Sequence, residues 1–206
     1  YISSTPNTDT NVYTEFLTRD SLTGEVKIKQ TPSSIIYGLF SQTGDSVVVS
    51  GTTSETSLVG GGVGNLTVPS NGFNIGDSFQ VNMSGHIGAR NGDNLQIKVK
   101  TTSGVTLADT GTITMPGVSG GQHWDLKINF TIRSLGSATT ASIASTMLFT
   151  FTKSASSTIE GENVSIINNT TFDTTVSNTL DITAKWDSTN SDNYIYSELF
   201  TLFKTY

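Results

Sequence analysis

The chain has no cysteine, so neither a disulfide framework nor a thiolate metal site can form. Charge is scarce too, at 14% of residues, and the 11 Lys and Arg form no cluster. Neutralising a phosphate backbone requires grouped cations, and a formal net charge of -6 opposes it further, so nucleic acid is not expected as a partner. No run of 18 or more apolar residues is present, and a soluble molecule without membrane insertion is expected. The first residues carry neither the basic nor the apolar region of a secretory leader.

Catalytic and metal signatures are equally sparse. The two histidines, His86 and His123, stand at no metal-binding spacing such as i, i+4, and alternation places His86 on a polar face with Asn82 and Ser84. Gly60-Gly61-Gly62-Val63-Gly64 is followed by no Lys and no helical pattern, so it reads as a flexible or closely packed loop rather than a phosphate cradle. The oxygen-rich stretch Asp187 to Asn193 lacks the Gly and terminal Glu of an EF-hand and reads as a polar hairpin loop. There is no Gly-x-Ser-x-Gly elbow. Glu160, Glu162, Asp173, Asp181, Asp187, Asp192 and Glu198 could supply a facing carboxylate pair by chance, but no motif singles one out. No enzymatic activity, cofactor or metal is therefore expected. The six Asn-x-Ser/Thr sequons, at Asn65, Asn82, Asn129, Asn163, Asn168 and Asn169, are near chance for a chain with about 30% Ser plus Thr.

What the chain does have is alternation. Trp124, Leu126, Ile128, Phe130 and Ile132 alternate with Asp125, Lys127, Asn129, Thr131 and Arg133, the pattern of a half-buried strand. Leu95 to Lys100, Phe79 to Ser84 and Leu180 to Trp186 repeat it, and further strands are predicted at 47–50, 64–68, 105–114, 145–153 and 163–167. Turn signals at Ser70-Asn71-Gly72, Asn91-Gly92-Asp93, Thr102-Ser103-Gly104, Pro116-Gly117, Ser119-Gly120-Gly121 and Asp187 to Asn193 punctuate the runs. No segment has helical periodicity with caps. Strands at this spacing specify an all-β antiparallel sandwich or barrel.

Two regions depart from the simple pattern. Leu17 to Ile28 is a strand, a tight turn and a strand within polar flanks too poor in apolar residues to bury a core. Residues 1–45 are accordingly expected to form a β connector and 46–206 a head domain, with the boundary near Gly44 to Val47. The closing stretch Tyr194 to Tyr206 is apolar on both faces: strict alternation puts Tyr194, Tyr196, Phe200, Leu202 and Tyr206 on one side and Ile195, Leu199 and Phe203 on the other. One side can face the second sheet of the domain, and the other is most economically covered by a neighbouring copy. Glu198 falls in register with Tyr196 and Phe200, where it must either find a partner or reach solvent.

Several segments carry a family likeness: Gly64-Asn65-Leu66-Thr67-Val68-Pro69, Phe73 to Phe79, Trp124 to Arg133, Asn168 to Thr175, and Ser197-Glu198-Leu199-Phe200-Thr201-Leu202. Through them the region from about Val47 to Tyr206 resembles the TNF/C1q-like jelly-roll heads of trimeric proteins, especially those that end fibre or spike proteins of large DNA viruses and bacteriophages. Leu17 to Ile28 similarly resembles the hairpins that recur in viral fibre shafts. The resemblance implies a two-sheet jelly roll whose last strand turns one face to the core and the other to a threefold axis, making Tyr194, Tyr196, Phe200, Leu202 and Tyr206 the candidate intersubunit set. It also implies a homotrimeric, non-enzymatic head at the virion surface or outside the cell, joined through its N-terminus to other virion proteins and attaching to a host glycan or protein by threefold avidity. The loops around Asn91 to Asn94, Pro116 to Gln122 and Asp187 to Asn193 are the expected contacts. A structural trimerisation, decoration or cement module is the alternative, and a carbohydrate-active enzyme a third. In the strict register, a charge at Tyr196 or Phe200 is expected to dissociate the assembly, and one at Leu199 or Phe203 to destroy the fold.

Overall fold

The computed structural model describes residues 15–19, 23, 26–30, 38–153 and 158–206. They form strands joined by turns and loops, with no helix among them. Two compact units are present, Tyr1–Ile36 and Tyr37–Tyr206. The first contains β1 (Glu15–Arg19) and β2 (Val26–Gln30), an antiparallel hairpin in which Leu17 opposes Ile28.

The second unit is a two-sheet antiparallel sandwich of the jelly-roll class. Its strands are β3 (Gly38–Gln42), β4 (Val49–Ser50), β5 (Thr56–Ser57), β6 (Gly62–Gly64), β7 (Thr67–Val68), β8 (Ser78–Ala89), β9 (Asn94–Thr101) and β10 (Thr106–Asp109). These are followed by β11 (Ile113–Thr114), β12 (Val118–Ser134), β13 (Ser142–Thr152), β14 (Ile159–Asn168), β15 (Asn178–Trp186) and β16 (Tyr194–Lys204). One sheet runs β10-β9-β15-β5, with β11 on β9 and β7 on β15. The other runs β14-β13-β12-β8-β16-β3-β6, with β4 on β16. The neighbours β9–β10, β12–β13 and β13–β14 pair with each other, whereas β8–β12, β8–β16, β9–β15 and β3–β16 join strands distant in sequence. For these distant pairs, burial of apolar surface rather than a local turn must set the pairing.

Alternation correctly identifies the core-facing residues of β9 and β12. Trp124, Leu126, Ile128, Phe130 and Ile132 of β12 are buried, as are Leu95, Ile97 and Val99 of β9. The sandwich nevertheless begins before the boundary expected near Gly44 to Val47: β3 pairs with β16, Phe40 opposite Leu202, and Phe40 is buried. Residues 1–45 are expected to lack the apolar residues for a core of their own, and for β3 the apolar neighbours come from β16. Ser119-Gly120-Gly121, read as a turn, is instead an irregularity inside β12, where the register on β8 shifts between Val118 and Gln122. Gly120 and Gly121 both have positive φ, which lets the strand kink and continue.

Candidate assembly face and loop groove

The outer face of the larger sheet is organised around a bulge in β16. Tyr196 pairs with His86 and Ser197 with Gly85, but the next partner of the strand, Ser84, meets Leu199. Glu198 is the extra residue, and it inverts the facing of everything after it. Gly85 permits this close approach, since a Cβ there would lie 2.1 Å from the Tyr196 carbonyl oxygen. Trp124, fully buried, donates its indole Nε1–H to the carbonyls of both His86 (3.2 Å) and Tyr196 (3.1 Å). On the other edge, Ser197 N–H donates to Ser46 Oγ (2.9 Å), Ser197 Oγ donates to the Leu58 carbonyl (2.6 Å), and Gln42 Nε2 donates to the Ser197 carbonyl (3.1 Å). A buried serine thus has its polar groups satisfied, which a strand centre requires.

The consequence corrects the intersubunit set. Phe200 and Leu202 point into the sandwich, where Phe200 is 0% exposed and its ring lies 5.2 Å from that of Phe40. Neither can face a neighbouring chain. Leu199, expected in the core, is 48% exposed, and Phe203 is only half-buried. The expectation that a charge at Leu199 or Phe203 destroys the fold therefore transfers to Phe200 and Leu202. Strict period-two counting could not reveal this, because one inserted residue exchanges the two sets; the polar pair Ser197-Glu198 inside an apolar run is the only local signal.

Tyr196 remains on the outer face. Its ring stacks on His86 at 5.8 Å, and His86 meets His123 edge-on at 6.4 Å, so the sheet gathers two histidines that are 37 positions apart. Glu198 is partly exposed, with Oε2 3.0 Å from His86 Nδ1, a charge proximity without hydrogen-bond alignment. Asp125 Oδ2 lies 3.2 Å from His123 Nε2. Desolvation, with the Glu198 charge next, pushes the Tyr196 phenol above its ordinary value. No group of three or more His, Asp or Glu among the described residues could hold a metal ion.

Tyr194 serves a different surface. Its ring lies against Gly88, where a Cβ would fall 2.3 Å from Cε1, and its hydroxyl reaches Gly121. It thereby walls an open depression of about 490 Å³, which Arg90, Gly117, Ser119, Ser191 and Asp192 also line. All three loops singled out in the sequence meet at this end. Asn193, 0% exposed, joins them: its Oδ1 accepts from Arg90 N–H (2.8 Å) and its Nδ2 donates to Asp93 Oδ2 (2.7 Å). Asp187 accepts from Asn94 N–H (2.8 Å) and Asn94 Nδ2 (2.6 Å), and Gly92 N–H donates to the Met115 carbonyl (2.9 Å). Tyr206, 81% exposed, lies at the opposite end, beside Gly76. Gly38 pairs with Phe203 at that same end, so the unit's first strand starts far from the loop groove.

No family model, no curated protein and no solved structure matches this chain.

Proposed function

We propose that the sandwich is a non-enzymatic, homotrimeric attachment head of a viral fibre or spike, of the TNF/C1q-like kind, exposed at a virion surface and binding a host glycan or protein. The observation that carries the attachment reading is the loop groove. Three loops from separate parts of the chain are fastened to one another at the end remote from Gly38, around a depression that combines an aromatic wall, Tyr194, with the polar side chains of Arg90, Ser119 and Asp192. Sugar rings present hydroxyls at their edges and C–H groups on their faces, so such a wall and rim suit both. A module that merely closed a shaft would have no use for a groove held this firmly.

The assembly reading is supported by the outer face of the larger sheet. Tyr196, Leu199 and Phe203 line one side of β16; Leu199 is 48% exposed, and Tyr196 and Phe203 are only partly buried in the single chain. Threefold closure covers three identical patches at once and multiplies weak groove contacts. Sedimentation equilibrium at micromolar concentration is expected to give a trimer, and a stable monomer would overturn this assembly. The attachment arm is read separately with a glycan array and a cell-binding assay. Arg90→Ala and Tyr194→Ala should leave the trimer intact and abolish retention, whereas a trimer that binds neither array nor cells is a structural module.

A further inference from the structure

At the end of the sandwich opposite the groove, the two sheets do not close on each other. A cavity of about 310 Å³ opens there between them. Five of the side chains that line it, Leu39, Leu66, Val68, Phe79 and Leu180, are packed on the core yet only partly buried. Phe73 stands in its wall edge-on to Phe79 at 6.1 Å, with Phe172 5.8 Å beyond.

We propose that this cavity is a binding site for a neutral, hydrocarbon-like small molecule about the size of one or two aromatic rings. Three observations fix the class. No Lys, Arg, His, Asp or Glu lines the cavity, so nothing there compensates a buried charge. Each of its polar liners already has at least one hydrogen-bond partner in the chain. Thr67 Oγ1 is 2.8 Å from Thr179 Oγ1, Thr101 Oγ1 is 2.8 Å from Ser103 Oγ, Asn65 Oδ1 accepts from Thr67 N–H, and Asn178 Nδ2 donates to the carbonyls of Asp173 and Val176. Finally, an apolar cavity of about 150 Å³ is enough to take up benzene, and this one is about twice that.

The walls are also braced against collapse. Phe79 and Phe130 stand opposite each other on β8 and β12 within the larger sheet, while Leu180 belongs to β15 of the other. The loop carrying Phe73 is tied by Asn71 N–H to the Thr174 carbonyl (2.8 Å), and Thr174 N–H is tied in turn to the Gly136 carbonyl (2.9 Å). A ligand would therefore complete the core rather than pry it apart. This site is independent of the trimer and of the loop groove.

The test is a titration of the 206-residue chain, with ¹³C-labelled Leu and Val methyls, against naphthalene and against naphthalene sulfonate as its charged counterpart. Saturable shifts are expected at Leu39, Leu66, Val68 and Leu180 with naphthalene only, together with a raised melting temperature. Leu66→Trp should fill the mouth and remove the shifts; Val68→Phe is the second occluding variant, should the first not fold. Absence of saturable shifts, shifts centred on Leu199 and the outer face, equal binding of the sulfonate, or unchanged binding by a folded occluding variant would each overturn the proposal.

Discussion

Trp124 donates its indole N–H to the carbonyl of Tyr196 at 3.1 Å, and at the next residues the closing strand changes face. The bond reaches across β8, where Trp124 stands opposite Gly85, and the missing side chain of Gly85 leaves room for the Tyr196 carbonyl and the Ser197 backbone. Trp124→Phe keeps most of the buried volume and removes the donor, leaving two carbonyls under-satisfied. A loss of about 1–3 kcal/mol is expected, measured as a shift of the urea midpoint at unchanged slope.

The bulge makes neighbouring residues behave oppositely. Phe200→Ala empties a fully buried site beside Phe40 and should cost about 3–5 kcal/mol in chemical unfolding. Leu199→Asp alters an exposed position, so its effect on the fold itself should stay within about 0.5 kcal/mol. Its expected signature is a lower sedimentation mass. If Leu199→Asp unfolded the sandwich while Phe200→Ala did not, the register described here would be wrong.

These two residues also mark where the sequence was legible and where it was not. On β9, β12 and β15 each apolar residue follows a polar one without interruption, and Leu95, Ile128 and Ile182 lie in the core where alternation put them. On β16 the same count places Phe200 and Leu202 outside, because the true register is carried by hydrogen bonds with Gln42 and Ser46 in one segment and with Trp124 in another, all far from β16 in the sequence. The loops were recognisable from Asn, Gly and Asp clusters, yet their convergence was not. That depends on the jelly-roll crossing, which brings Asn193 beside Arg90 and Asp93 across 100 positions. The apolar cavity had no sequence signal at all, since a void is set by what fails to fill it.

Asn193 is the residue on which the loop end depends. Asn193→Leu preserves volume and strands both the Arg90 N–H and the Asp93 carboxylate, at an expected cost of about 1–3 kcal/mol. Hydrogen exchange at the Arg90 amide should accelerate by more than at core amides of β12. An effect spread evenly over the whole sandwich would show that Asn193 supports the core rather than the groove.

On the opposite face, acid should weaken the smaller sheet through Glu55. Its carboxylate contacts Lys100 Nζ, accepts from Thr183 Oγ1 (2.9 Å) and lies 3.5 Å from Lys98 Nζ. The hydrogen bond from Lys100, against some desolvation, holds its pKa below the ordinary 4.5. The unfolded chain therefore takes up the proton first as pH falls, so the folded state loses this contribution between 4.5 and the lower folded value, and holds it in full above 4.5. Glu55→Gln should be less stable than the parent near neutrality by about 1 kcal/mol or less, the scale of a partly exposed pair. The two unfolding curves should converge in acid, and at neutral pH the gap should narrow as salt is raised. A gap that stayed constant down through the acid range would mean that Glu55 acts by packing over Thr183 and not by its charge.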